Sequence, residues 1–271
     1  MIYTYDFNTQ LFSRALFSRA EINRREREAP EPPTLDAPLG LQDRYCFDPR
    51  KERWFIDSVG DARTSGRNSQ PVKDGKGIVN PKPDITQPRD GIFVFDNFYL
   101  NPQDVRAEAL HAPYYPHWLY SALRSQRHTN QTVIDHIAGF MGKQLKMIDG
   151  CGDYKLNLEG DEMKRNRIHS DQINDWTGVL FLNKEGEGGT SFYRHRRSGL
   201  DKFPSNASME QFETLWEDGL SEKPWHRYLD VEFKQNRLVM FDASLFHGET
   251  KMFGKTLHEG RNVQVFFMKT I

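Results

Sequence analysis

The chain has 271 residues, enough to bury a full core in one large domain or two small ones. Its 37 basic and 38 acidic side chains leave a formal charge of -1, which gives no electrostatic footprint for nucleic acid or an anionic membrane. Two cysteines, Cys46 and Cys151, make neither a disulfide framework nor a zinc motif, and no run reaches the ~20 apolar residues of a bilayer span, so a soluble, cytoplasmic protein is expected.

Residues 1–90 read as an N-terminal extension. Within it, Phe12, Ala15, Leu16 and Ala20 share one stripe of a predicted amphipathic helix over 11–27. Pro30, Pro32 and Pro33 stop that helix. Residues 61–89 carry no apolar period and read as a loop or mobile arm, either a plain surface extension or a lid over a site. Ile92-Phe93-Val94-Phe95 then predicts a strand, and Asn101-Pro102 the cap and first position of a helix to about Leu110. A second helix is predicted over 132–148, on Val133, Ile137, Phe140, Met141, Leu145 and Ile148, with Gly150 as its stop.

From Tyr154 onward the pattern is one of short strands, at 176–182, 190–193, 228–233, 237–241, 245–247 and 262–268. The strands at 228–233 and 237–241 read as a pair around Lys234-Gln235-Asn236. One helix interrupts the series at 208–216, where Ser208 and Gln211 form a capping box. Helices first and strands second predict an α+β arrangement, with a β-sandwich or barrel in the domain over 91–271.

The chemistry gathers in His169-Ser170-Asp171, Phe246-His247-Gly248 and Gly260-Arg261-Asn262. On a strand, residues i and i+2 point to one side, so His169 and Asp171 can reach one ion. Two imidazoles and a carboxylate on one face of a metal leave the other face open, the donor set of non-haem Fe(II) oxygenases. Arg261 can clamp a carboxylate through two parallel hydrogen bonds, whereas its plain role would be a structural salt bridge. Imidazoles that point apart, or a guanidinium buried against an unrelated acid, would overturn the oxygenase reading. Arg194 and Arg196, in Arg194-His195-Arg196-Arg197, are candidates to anchor a substrate carboxylate or phosphate, against the plainer reading of a solvated turn. Trp176 is a candidate for substrate stacking or for packing.

The ordered set His-x-Asp…His…Arg resembles the Fe(II)/2-oxoglutarate-dependent dioxygenases. Residues Asn236-Arg237-Leu238-Val239-Met240-Phe241, leading to His247-Gly248, are similar to the prolyl-hydroxylase-like branch, and the strand and Asn-Pro helix over 92–110 to the lead-in of many bacterial members. The resemblance covers about 90–271. It implies a double-stranded β-helix (jelly-roll, cupin-like) core with flanking helices, Fe(II) on His169, Asp171 and His247, and Arg261 on the distal carboxylate of 2-oxoglutarate. Asn157 and Tyr154, just upstream of the first ligand, and Thr190 and Gln264 are further candidates to contact that co-substrate. Lysine does the work of Arg261 in the prolyl hydroxylases themselves, a departure from a close match. Asp171 separates the chain from related halogenases, which lack the carboxylate. The resemblance therefore implies O2-dependent hydroxylation, or another oxidation, of a small-molecule, amino-acid-derived or peptide-like substrate, with release of succinate and CO2. A cupin-like metalloenzyme without 2-oxoglutarate and a non-catalytic jelly-roll binding protein are the alternatives.

Overall fold

A computed structural model describes residues 75–112, 114–116, 122–159, 168–171 and 173–271, and the backbone of the paired strands β1 (Asp43–Asp48) and β2 (Arg53–Ser58). The predicted helix over 11–27 lies outside the described residues. Three helices and two further antiparallel sheets make up the rest.

The large, nine-stranded sheet begins at β3 (Asp84–Arg89), inside the segment that the sequence pattern leaves as an arm. This strand pairs with β4 (Ile92–Asp96) along the sheet edge and exposes its side chains, so pairing rather than burial holds it and no apolar period betrays it. The sheet continues through β12 (Leu238–Asp242), β9 (Trp176–Phe181), β14 (Arg261–Thr270), β8 (Asp153–Asn157), β6 (Leu123–Arg127) and β5 (Tyr115–Pro116). β7 (Leu145–Met147) pairs with the far end of β14. The small sheet is β11 (Trp225–Glu232), β10 (Gly189–His195) and β13 (His247–Glu249).

Period-two alternation splits the buried side chains between the two faces of the large sheet. Leu238 and Met240 of β12, and Phe266 and Met268 of β14, pack with helices α1 (Pro102–His111) and α2 (Gln131–Met141). Val239, Phe241, Val263 and Val265 face the other way and share a core with Phe192 and Val231 of the small sheet. A cleft between two sheets therefore receives every second residue of β14, β12 and β8. Each fully buried Val, Leu or Phe there contributes about 1.5–3 kcal/mol of transfer free energy.

Several boundaries differ from the sequence pattern. Asn101 precedes α1, yet its side chain does not cap the helix; it accepts from the Ile78 backbone N–H and donates to the Lys76 carbonyl, tying the preceding segment down. α2 stops at Gly142, whose left-handed φ of 62° suits glycine, and residues 145–147 leave the helix to extend the sheet. Helix α3 (Met209–Asp218) starts as predicted, with the Ser208 hydroxyl accepting from the Gln211 N–H. The strands around Lys234-Gln235-Asn236 do not pair with one another: β11 belongs to the small sheet and β12 to the large one. Asn236, itself at φ 62°, anchors this crossing by accepting from the Tyr99 N–H and donating to the Tyr99 carbonyl. No helix among the described residues is long and apolar enough to cross a membrane.

Candidate metal centre

Backbone pairing assembles the three candidate ligands. His169 and His247 exchange both backbone hydrogen bonds, at 2.9 and 2.8 Å, in an isolated antiparallel bridge. The Asp171 N–H donates to the Ala243 carbonyl at 2.8 Å, so the His-x-Asp segment is laid along the approach to β13 rather than forming a full strand. The two imidazole rings lie 4.5 Å apart between centroids. Asp171 places one oxygen 3.8 Å from His169 Nε2 and the other 3.7 Å from His247 Nε2. All three donor atoms fall within 4.8 Å of one another. Adjacent donors on one ion at bond lengths of about 2.1 Å stand roughly 3 Å apart, so small rotations suffice to close the set on a divalent metal.

Neighbouring groups fix the donors. The Nδ1–H of His247 points at the Leu245 carbonyl, 2.9 Å away, which leaves the Nε2 lone pair for an ion. Thr177 donates its hydroxyl to Asp171 at 2.7 Å and is itself held by the Asn174 amide at 2.7 Å. The Phe241 ring lies 4.5 Å from that of His247 and shields it.

Protonation fits the same use. Burial, then the neighbouring His247, pushes His169 down to about 4, so its ring is neutral at pH 7. Burial acts to raise Asp171, but the two histidines and the Thr177 bond outweigh it and hold the carboxyl below its usual range. A free histidine titrates near 6.5, so between pH 6.5 and 4 the unfolded chain takes up a proton that the folded chain refuses. Stability of the metal-free protein is therefore expected to fall as pH drops through that window, and His169→Asn to lose part of that slope. Urea midpoints at pH 7 and 4.5 check this; an equal pH dependence in both proteins contradicts it.

A polar pocket in the cleft includes Arg261 of β14 and Asn157 of β8. These two are register partners, and both are fully buried. The Arg261 Nη1 reaches Glu249 at 3.5 Å, while among the described residues Nε and Nη2 have no partner. Neither amide atom of Asn157 has one, nor does the Thr190 hydroxyl of β10. A buried guanidinium with a distant acid and the Phe181 ring 5.7 Å away is costly by several kcal/mol, and burial pushes its pKa down. Each unsatisfied amide or hydroxyl adds about 1–3 kcal/mol. Nε and Nη2 form the side-on edge of the guanidinium, the pair that takes a carboxylate bidentately. An anion with two oxygens is the chemical complement of that edge.

The chain is similar to iron- and 2-oxoglutarate-dependent oxygenases of known structure. One is an oxidoreductase of the 2OG-Fe(II) oxygenase family from Burkholderia pseudomallei, at 11% identity and TM-score 0.39 over 66% of this chain and 84% of that one. HygX from Streptomyces hygroscopicus, with nickel and 2-oxoglutarate bound, is 9% identical at TM-score 0.41, over 66% and 82%. A prolyl-4-hydroxylase from Pseudomonas putida is 12% identical at TM-score 0.36, over 66% and 92%. Residues 164–252 match a family of unknown function (DUF6445), a span that takes in His169, Asp171 and His247 and leaves Arg261 outside. No curated protein matches the chain. Identities this low carry no residue roles across, and the chemistry rests on the side chains described above.

Of the residues singled out in the sequence, His169, Asp171 and His247 meet at one point, and Arg261, Asn157 and Thr190 share the cleft. The others do not join them. Gln264 and Tyr154 are one residue out of phase with Arg261 and Asn157 and so face the helices. Gln264 accepts from the Tyr99 hydroxyl and donates to the His128 carbonyl, and Tyr154 donates to Glu108 of α1. Trp176 packs on the helix side of the sheet, beside Phe93 and under the Lys143 ammonium, so it is a core residue on the face away from the cleft. Arg194 lies toward solvent with Asp201, and Arg196 donates to the Trp225 carbonyl, so the basic cluster braces a turn. His195 is likewise structural, bonded to Ser198 and Asp218. Sequence reasoning missed Thr177, Lys155 and Glu249. The last two were within reach: Glu249 follows His247 by two along a strand and Lys155 precedes Asn157 by two, which puts each on the cleft face.

Proposed function

We propose that this chain is an Fe(II)- and 2-oxoglutarate-dependent oxygenase built on a double-stranded β-helix, with His169, Asp171 and His247 holding the iron. The observation that carries the reading is the buried Arg261 with its side-on edge unpaired, beside the equally unpaired Asn157 and Thr190, in the cleft that also holds a three-donor metal cluster. Arg261 would bind the distal carboxylate of 2-oxoglutarate through Nε and Nη2, and Asn157 and Thr190 would supply further hydrogen bonds.

Iron bound in such a site couples the oxidative decarboxylation of 2-oxoglutarate by O2 to insertion of one oxygen atom into a substrate C–H bond, giving the alcohol, succinate and CO2. The chain's own part is to orient and exclude. Thr177 and the Leu245 carbonyl hold the donors in place, while Phe241 and Phe192 keep water from one side of the cleft. As substrate, a small-molecule, amino-acid-derived or peptide-like metabolite suits the balanced charge.

The contact between Arg261 Nη1 and Glu249 favours a second reading, a metalloenzyme with the same donors in which Arg261 is a structural partner of an acid and 2-oxoglutarate plays no part. It leaves two buried guanidinium nitrogens without purpose. Anaerobic addition of Fe(II) and then 2-oxoglutarate separates the two, because only chelation of iron by the 2-oxo acid produces a metal-to-ligand charge-transfer band in the visible.

A further inference from the structure

Glu249 is a largely buried acid beside Arg261, and nothing in the oxygenase reading requires it. It ends β13, two residues after His247, and pairs in register with Thr190 across the small sheet. Its Oε1 makes an ion pair with the Lys155 ammonium and lies 3.5 Å from Arg261 Nη1, while its Oε2 is buried with no partner among the described residues. Lys155 stands on β8 two positions before Asn157, on the same face, with Arg124 of β6 opposite it in register.

Two cations hence share one resident carboxylate, and Arg124 adds to the positive side. The ligand-facing edge of Arg261, Nε and Nη2, lies away from Nη1. A carboxylate docked there stands on the order of 6 Å from that of Glu249, close enough for two like charges to repel appreciably even at an effective dielectric of about 20. Glu249 thus keeps the guanidinium partly neutralised when the pocket holds no ligand, and opposes the ligand when it arrives.

We infer that Glu249 is a resident counter-carboxylate that weakens co-substrate binding by sharing Lys155 and Arg261 with the incoming carboxylate. The inference rests on the oxygenase reading for the ligand's identity. Succinate keeps the same carboxylate end, so Glu249 also hastens exchange of the product.

Calorimetric titration of the Mn(II)-loaded protein with 2-oxoglutarate tests this in wild type, Glu249→Gln, Lys155→Met and the double variant. Glu249→Gln keeps the shape and removes the charge, and is expected to bind at least threefold, and on the order of tenfold, more tightly. Lys155→Met leaves Glu249 to Arg261 alone and is expected to bind about tenfold more weakly. Once Glu249 is uncharged, Lys155→Met should no longer weaken binding, so the double variant is expected to bind like Glu249→Gln; a return only to wild type is simple additivity and overturns the inference. A Glu249→Gln protein that binds less than threefold tighter than wild type overturns the inference. If that variant does not fold, Lys155→Met decides, and binding as tight as wild type overturns it. Absence of 2-oxoglutarate binding in wild type and every folded variant overturns the oxygenase reading along with it, whereas binding in wild type with no gain in Glu249→Gln overturns the inference alone.

Discussion

Replacing His247 with alanine is expected to abolish iron-dependent turnover and to weaken Mn(II) binding at least about 100-fold, because one donor of three is removed. The fold should survive. The bridge between residues 169 and 247 is made by backbone groups, which alanine retains, and β13 keeps its pairing to β10. Removing a buried ring that packs on Phe241 costs about 1–2 kcal/mol, a small part of the stability of a chain this size. The informative result is therefore the contrast between the two properties. Calorimetric Mn(II) titration and a urea melt of the same preparation measure them, and metal affinity within threefold of wild type would remove the triad from the account.

Arg261→Ala should spare the metal and abolish tight binding of the co-substrate. Removing one half of a buried bidentate guanidinium–carboxylate pair is expected to lower 2-oxoglutarate affinity by about 100-fold or more, roughly 3 kcal/mol. Mn(II) affinity should stay within about threefold, since no donor atom is touched. Lysine at this position is expected to recover only part of the binding, because an ammonium offers a point charge where the pocket presents a fork. The stability change should be small, for Glu249 keeps its pair with Lys155 when the guanidinium leaves. Equal 2-oxoglutarate affinity in wild type and Arg261→Ala, measured on Mn(II)-loaded protein, contradicts the assignment and favours the structural pairing with Glu249.

The three-donor cluster was legible in the sequence because each member is a residue type with a narrow chemical use, and because His169 and Asp171 are spaced so that both can reach one point. Arg261 was legible for the same reason, as a cation at the start of an apolar strand. What failed was phase. Once Arg261 faces the cleft, Val263 and Val265 face it too and Gln264 cannot; the same parity puts Lys155 and Asn157 inside and Tyr154 outside. Naming Tyr154 for its place upstream of the first ligand, and Gln264 without a strand phase, chose residues of the opposite parity and passed over Lys155 and Glu249.

In the fold, the illegible parts are those held by tertiary pairing. β3 exposes its side chains, and residues 145–148 continue the helical spacing of α2 although Gly142 has already ended it. The separation of β11 from β12 depends on Asn236 reaching back to Tyr99, 137 residues away, a hydrogen bond no local pattern announces.

Anaerobic titration of the wild-type protein with Fe(II) and then 2-oxoglutarate tests the central claim most directly. A weak visible charge-transfer band that saturates at one 2-oxoglutarate per chain, and is absent with His247→Ala, is the expected result. Iron that binds to the wild-type chain while no band forms at any 2-oxoglutarate concentration would contradict it.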